Sequence, residues 1–186
     1  MKQIVFNDDK LTQEQLDKVV NKVRGVIYRG SKEILLVHYA GLYMLPGGTI
    51  EEEESDEQAL KREILEESGI IIQEPLPNPF LEISSYDKNY VDREKGTINR
   101  LTKTTFFEIH TSQRIEEKRK KLTNSEKEKG HTIKYVNLYT IPDLIKRKDT
   151  DNLKGKQFDR ELLTVLIEIA KLRKRREEQK EQDNFL

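Results

Sequence analysis

The chain has no cysteine and no tryptophan, only five prolines in 186 residues, and no surplus of charge of either sign. Without cysteine there is no disulfide, no zinc–thiolate centre and no thiol nucleophile. Lysine plus arginine and aspartate plus glutamate each number 34, so the net charge is zero. The basic excess that marks a dedicated nucleic-acid binder is missing, and nucleic acid is not expected as a partner unless a local patch meets it. Long apolar runs are missing as well. The longest, such as Ile34-Leu35-Leu36-Val37, are strand-sized and far too short to cross a bilayer. The first residues reach Asp8 and Asp9 before any signal-like apolar stretch develops. The expectation is a cytoplasmic chain with no membrane association.

What is present is a small core under a heavily charged surface, with 34% of residues hydrophobic and 37% charged. The length fits one domain over residues 1–186. Leu11 to Val20 reads as an N-terminal helix capped by Thr12. Val23 to Tyr28 and Glu33 to Tyr39 read as strands joined at Arg29-Gly30-Ser31. Leu45-Pro46-Gly47-Gly48 is a forced turn. A helix then runs from Asp56 to Ser68, opened by a Ser55/Gln58 capping box and closed by Gly69. Ile70 to Ile72, Phe80 to Ser85, Arg100 to His110 and His131 to Leu138 read as strands. Ile141 to Arg147 reads as a short helix, and a C-terminal helix spans about 157–180. Arg173–Glu177 and Lys174–Glu178 are spaced as ion pairs on its polar end. Strands interspersed with helices, several joined by short hairpin connections, predict an α/β chain: a three-layer α/β/α sandwich on a mixed sheet.

The chemistry is concentrated between Gly48 and Ile70. Glu63, Glu66 and Glu67 stand at i, i+3 and i+4 and share one helix face. Three like charges so placed repel one another unless cations sit among them, and an all-oxygen set suits Mg²⁺ or Mn²⁺. A solvated glutamate face would account for Arg62-Glu63-Ile64-Leu65-Glu66-Glu67 taken alone. The flanking glycine turn, Glu54 at the helix mouth, and Gly69 at its far end favour an arranged site.

Gly48, Glu54, Arg62, Glu63, Ile64, Glu66, Glu67, Gly69 and Ile70 fill every fixed place of the signature box of the Nudix hydrolases, and the segment resembles that family. Tyr43 and Pro46-Gly47-Gly48 resemble its usual approach to the box. The resemblance runs from Val23 to about Ile145. It implies an α/β/α sandwich and a Mg²⁺-dependent pyrophosphohydrolase, with Mn²⁺ as substitute, that cleaves a diphosphate linkage in a nucleotide-like small molecule. It implies Glu63, Glu66, Glu67 and the Gly48 carbonyl as metal ligands and Arg62 ion-paired to Glu54. Gly47 and Gly69 support the loop and the helix end.

The general base is left between Glu66 or Glu67 and a loop carboxylate, Glu126, whose alternative reading is a solvated side chain. His38, Tyr43 and Tyr86 are the candidates for substrate contact; Tyr90 shares the reading given to Tyr86. A tyrosine there, with no proline between Pro79 and Pro142, resembles members acting on dinucleoside polyphosphates and favours these or a nucleoside triphosphate over ADP-ribose. His110 and His131 have no supporting context. The other readings are a Nudix-fold module that binds a nucleotide or metabolite without turnover, and an RNA-end pyrophosphohydrolase served by the basic cluster Arg114 to Lys121. Monomer and homodimer both stay open.

Overall fold

The computed structural model describes residues 1–92, 94–146 and 153–183. Its elements are β1 (Lys2–Phe6), β2 (Lys18–Arg29), β3 (Glu33–Tyr39), β4 (Leu42–Met44), α1 (Asp56–Ser68), β5 (Leu81–Asp92), β6 (Gly96–His110), α2 (Asn124–Glu128), β7 (Thr132–Asn137), α3 (Ile141–Lys146) and α4 (Leu153–Asp183). The strands form one mixed sheet in the order β1-β5-β6-β2-β3-β4, with β7 paired to β3. β1 lies parallel to β5 and β2 parallel to β6, while the other pairs are antiparallel.

Alternation along β2 builds the layers. Val23 and Ile27 join Ala59, Leu60 and Ile64 of α1 in one apolar cluster. Val26 and Tyr28 join Leu162, Val165 and Ile169 of α4 in the other. Successive side chains of a strand point to opposite faces, so one strand supplies both cores and the sheet is covered on each side by a helix. The α/β/α sandwich read from the sequence is the observed architecture.

β2 and β3 stay paired only at Tyr28–Ile34 and Arg29–Glu33. Beyond that point the segment after β4 takes the place of β3. Gly25 N–H donates to Pro46 O (2.9 Å), Val23 N–H to Gly48 O (3.0 Å) and Ile50 N–H to Asn21 O (3.0 Å). The glycine turn is thereby stitched to the middle of the sheet, and this fixes the approach to α1.

Four expectations are corrected. No N-terminal helix spans 11–20: one 3₁₀ turn, Gln13–Gln15, is followed directly by β2, whose Lys18–Val20 pair with Arg100–Thr102. The β-branched pair Val19-Val20 is better used in that ladder than in a helix. β1 was not foreseen, because a mostly exposed edge strand carries little apolar pattern. Ile70 to Ile72 is not a strand. The Gln113 side chain takes the place of a neighbouring strand, accepting from Ile71 N–H (3.1 Å) and donating to Ile71 O (2.7 Å). Finally, Lys174 meets Glu178 at 3.8 Å, but Arg173 donates to Ser31 O (2.9 Å) and lies over the Tyr28 ring instead of pairing with Glu177. The α3 helix ends at Lys146 within the described residues, and Arg147 lies outside them.

Candidate active site

α1 begins and ends where its sequence directs. Ser55 Oγ accepts from Gln58 N–H (3.2 Å) and Gln58 Oε1 accepts from Ser55 N–H (2.9 Å), an exchange worth about 1 kcal/mol for a cap of this kind. At the other end Gly69 adopts φ 72° and returns its N–H to Leu65 O (2.9 Å). Ala59, Leu60 and Ile64 are fully buried. Glu63 and Glu67 leave the helix beside this stripe and reach the glycine turn, with Arg62 and Glu66 next to them toward solvent.

Arg62 ties the loop to the helix. Its Nε and Nη2 reach the two oxygens of Glu54, each at 2.9 Å, and Nη2 also donates to Thr49 O (3.1 Å). Nη1 meets Glu63 Oε1 at 2.9 Å. The bidentate match of guanidinium and carboxylate is the strong form of this contact. It holds the Glu54 carboxyl below the usual range and pushes Arg62 further up, so both stay charged. Burial pushes the Glu63 carboxyl up; the Arg62 hydrogen bond opposes this, and the charges of Glu67 and Glu66 add to it.

The turn is shaped to receive these carboxylates. Glu67 Oε2 accepts from Gly47 N–H at 3.0 Å. A Cβ on Gly47, at φ 130°, would strike the Val23 carbonyl and the Arg24 Cα, and one on Gly48 would fall on the Glu63 carboxylate. Glycine at both positions is a matter of contact distance, since backbone and carboxylate lie where a side chain would be. Glu66 is the loosest of the three carboxylates, more than a third exposed and 3.8 Å from Arg62.

His131, for which the sequence offered no context, stands beside them. Its side chain is 2% exposed, and Nε2 lies 3.5 Å from Glu67 Oε1. Neither ring nitrogen has a hydrogen-bond partner. No spacing rule links positions 67 and 131. The segment between them carries the chain back to α1, through Glu116 N–H to Ser68 O (2.9 Å) and Lys121 N–H to Glu66 O (2.8 Å).

The other sequence candidates are dispersed. Glu126 caps α2: its Oε2 accepts from Thr123 N–H (2.6 Å) and Thr123 Oγ1 (2.8 Å). His38 and Tyr43 face each other on β3 and β4, with ring centroids 4.7 Å apart. The Tyr86 hydroxyl accepts from the Gln13 side chain (3.3 Å), while the alternate residues Ser85 and Asp87 line a cavity on the α4 side of the sheet.

That cavity, about 330 Å³, is lined also by Lys22 and Arg24 of β2, Tyr90 of β5, Arg100 and Thr102 of β6, and Phe158 of α4. It touches the glycine turn through Arg24, whose Nη1 donates to Leu45 O, and through Lys22, bridged to Thr49. Asp87 accepts from Arg100 Nη2 (2.8 Å) and Gln157 Nε2 (2.7 Å). The Arg100 guanidinium lies 3.3 Å from the Tyr90 ring centroid. Arg24 Nε is ion-paired to Glu161 at 3.2 Å. Tyr90 apart, none of these residues stood out in the sequence, because they come from four elements with no shared motif.

The donor set at the turn and α1 is all oxygen, which fits Mg²⁺ or Mn²⁺. Among the described residues no three acidic or histidine side chains are already gathered into a closed cage. Glu63 is turned to Arg62 and Glu67 to Gly47. A site of this openness suits an ion that keeps several waters and is completed by substrate phosphates. Among the described residues, no helix is long and apolar enough to cross a membrane.

The fold has a counterpart among solved structures. No curated protein matches the chain. The dihydroneopterin triphosphate pyrophosphohydrolase of E. coli is similar in structure, with 17% identity, 80% of this chain and 95% of that one covered, and a TM-score of 0.50. MutT from Bacillus halodurans aligns at 20% identity over 67% of this chain and 72% of its own, with a TM-score of 0.47. The family model described as the NUDIX domain matches residues 19–162, which takes in the glycine turn, all of α1, His131 and the whole cavity wall from Lys22 to Glu161. The chain belongs to the Nudix family of hydrolases, whose domain acts on pyrophosphate bonds.

Proposed function

We propose that the chain is a Mg²⁺-dependent pyrophosphohydrolase of nucleoside triphosphates or dinucleoside polyphosphates, with Mn²⁺ able to substitute. The observation that carries this reading is the placing of Glu63 and Glu67 against the Gly47-Gly48 turn, the first held by the Arg62–Glu54 pair and the second by Gly47 N–H, with Glu66 beside them. Glu63, Glu66, Glu67 and the free lone pair of the Gly48 carbonyl would hold the cation. When bound, it neutralises diphosphate charge and acidifies water.

The protein's own groups do the positioning. Glu54 fixes Arg62, and Arg62 fixes the Thr49 carbonyl and one oxygen of Glu63. Gly47 N–H holds one oxygen of Glu67. Glu66, with no short partner, is free to take the proton of the attacking water. Water adds across the P–O–P bridge, and the two phosphate products leave with the bridging oxygen on one of them.

The cavity on the α4 face supports a nucleoside at the other end of the substrate. Its volume is at the lower end of the range for small-molecule sites, and Tyr90 and Phe158 offer flat surfaces. Lys22, Arg24, Lys88 and Arg100 outnumber Asp87 and Glu161, and both carboxylates are already paired. Such a lining favours an acceptor-rich base carrying phosphates.

A substrate panel with phosphate detection tests the reading. It would include nucleoside triphosphates, dinucleoside polyphosphates, ADP-ribose and, after the E. coli structural neighbour, dihydroneopterin triphosphate. Turnover should need Mg²⁺ or Mn²⁺, vanish in EDTA, and favour triphosphates or polyphosphates. Full turnover in chelator would overturn the metal assignment, and clear preference for ADP-ribose would overturn the substrate assignment.

A further inference from the structure

We propose that His131 is a positioning residue for Glu67: its Nε2–H donates to Glu67 Oε1 and fixes the carboxylate that Gly47 holds from the other side. The inference rests on the reading of Glu67 as a metal ligand.

The buried imidazole of His131 has lost its water without gaining a partner. An imidazole always carries at least one N–H. The His131 ring is 2% exposed, with no hydrogen bond at either nitrogen, and an unsatisfied buried donor costs about 1–3 kcal/mol. The ring is not free to turn outward. Its backbone N–H is bonded to Glu126 O (2.9 Å), the next residue enters β7 opposite His38, and the ring packs at a tilt against Tyr39, centroids 6.4 Å apart. The carboxylate oxygen 3.5 Å away needs to approach by only a few tenths of an ångström to make a charge-assisted bond.

Glu67 Oε2 is taken by Gly47 N–H. With Oε1 held by His131, both oxygens are fixed from opposite sides and the remaining lone pairs keep one direction. A ligand oriented in this way loses less freedom when a cation binds. Groups that orient metal ligands typically contribute ten- to hundred-fold in affinity. Glu63 receives the same service from Arg62. The two less exposed carboxylates are then braced by separate cationic or N–H partners, and the more exposed Glu66 is not.

Two measurements decide it. ¹⁵N NMR of the imidazole reads the bond without any metal: a protected Nε2–H is expected in the wild type and should be lost in Glu67→Leu. An Nε2–H signal unaffected by Glu67→Leu overturns the pairing. Mn²⁺ binding by EPR, without substrate, reads its consequence. His131→Phe should weaken Mn²⁺ about ten-fold or more, and His131→Gln, which keeps an N–H donor, should recover most of the loss. Equal Mn²⁺ affinity in wild type and His131→Phe overturns the proposal, and so does a His131→Gln as weak as His131→Phe, since packing alone would then matter. If His131→Phe does not fold, loss or persistence of the His131 imidazole signal in Glu67→Leu decides it. A wild type that binds no Mn²⁺ while showing the Glu67-dependent signal would sink the metal reading and leave the pairing in place.

Discussion

The two faces of the sheet are built differently. On the α1 face, His131 apart, the functional groups lie between Gly47 and Glu67, and the contacts among them are local in sequence. On the α4 face Lys22, Asp87, Arg100 and Phe158 come together only because β2, β5, β6 and α4 are packed. The first face is a motif, and the second is a consequence of the fold. Chemistry that must be exact is placed on one rigid helix and its turn, whereas selectivity is left to long-range packing that can change without disturbing the carboxylates. Substitutions on the two faces should therefore fail in different ways.

The largest effects belong to the α1 face. Glu66→Gln and Glu67→Gln should each lose roughly 10²- to 10⁴-fold in turnover at saturating metal, the range expected for loss of proton transfer or of a group that positions it. Glu67→Gln should also raise the metal requirement. A metal titration of turnover for both variants checks this, and near wild-type rates in both would remove the box helix from catalysis. Arg62→Ala should follow at about ten- to hundred-fold in kcat/KM with the fold retained, because it releases Glu54 and frees a ligand without removing one. In a double-mutant cycle with Glu54→Gln the losses should be strongly non-additive. Additive losses would mean that the observed pair does not couple.

The α4 face should respond through KM. Phe158→Ala removes a flat wall of the cavity, and loss of one base–aromatic stack costs about 1–3 kcal/mol, or roughly five- to 150-fold in KM with kcat little changed. A fall in kcat at constant KM would place Phe158 with the catalytic groups instead and erase the division between the faces.

That division also explains what could be read in advance. The helix Asp56–Ser68 was legible to the residue, since a capping box, an apolar stripe and a terminal glycine all agree. The sandwich was legible from the alternation of elements. Gln113 standing in for a strand beside Ile71 was not, because it is tertiary in origin, and nor was the strand entry of β2 at Lys18. Glu126 was legible as a polar residue near the last strand, but Thr123-Asn124-Ser125-Glu126 is itself a capping box, and the local reading describes what its carboxylate does. His131 was invisible for the opposite reason, since its partner lies far away in sequence.

The smallest predicted effect concerns the rim of the cavity. Asp92 closes the end of β5 beside Tyr90 and Val91. Its carboxylate receives Lys18 Nζ (2.9 Å) and the N–H groups of Glu94 (3.0 Å) and Lys95 (3.2 Å). The Lys18 hydrogen bond first, then the two backbone bonds, hold the Asp92 carboxyl down at about 2. A carboxyl depressed by folding contributes its stability above the unfolded value, near 3.9, and loses it as pH falls toward the folded one. The contribution should therefore be complete at neutral pH and disappear between about pH 4 and pH 2. The pair sits at the surface, with the Lys18 side chain more than a third exposed, so the effect on global stability should be slight, and the sensitive readout is the carboxyl itself. Its ¹³C resonance should titrate near 2 in the wild type and move up in Lys18→Ala, with no change in metal binding at the box. A wild-type midpoint in the ordinary aspartate range would show that the latch is open in solution and that this edge of the cavity is not held by Lys18.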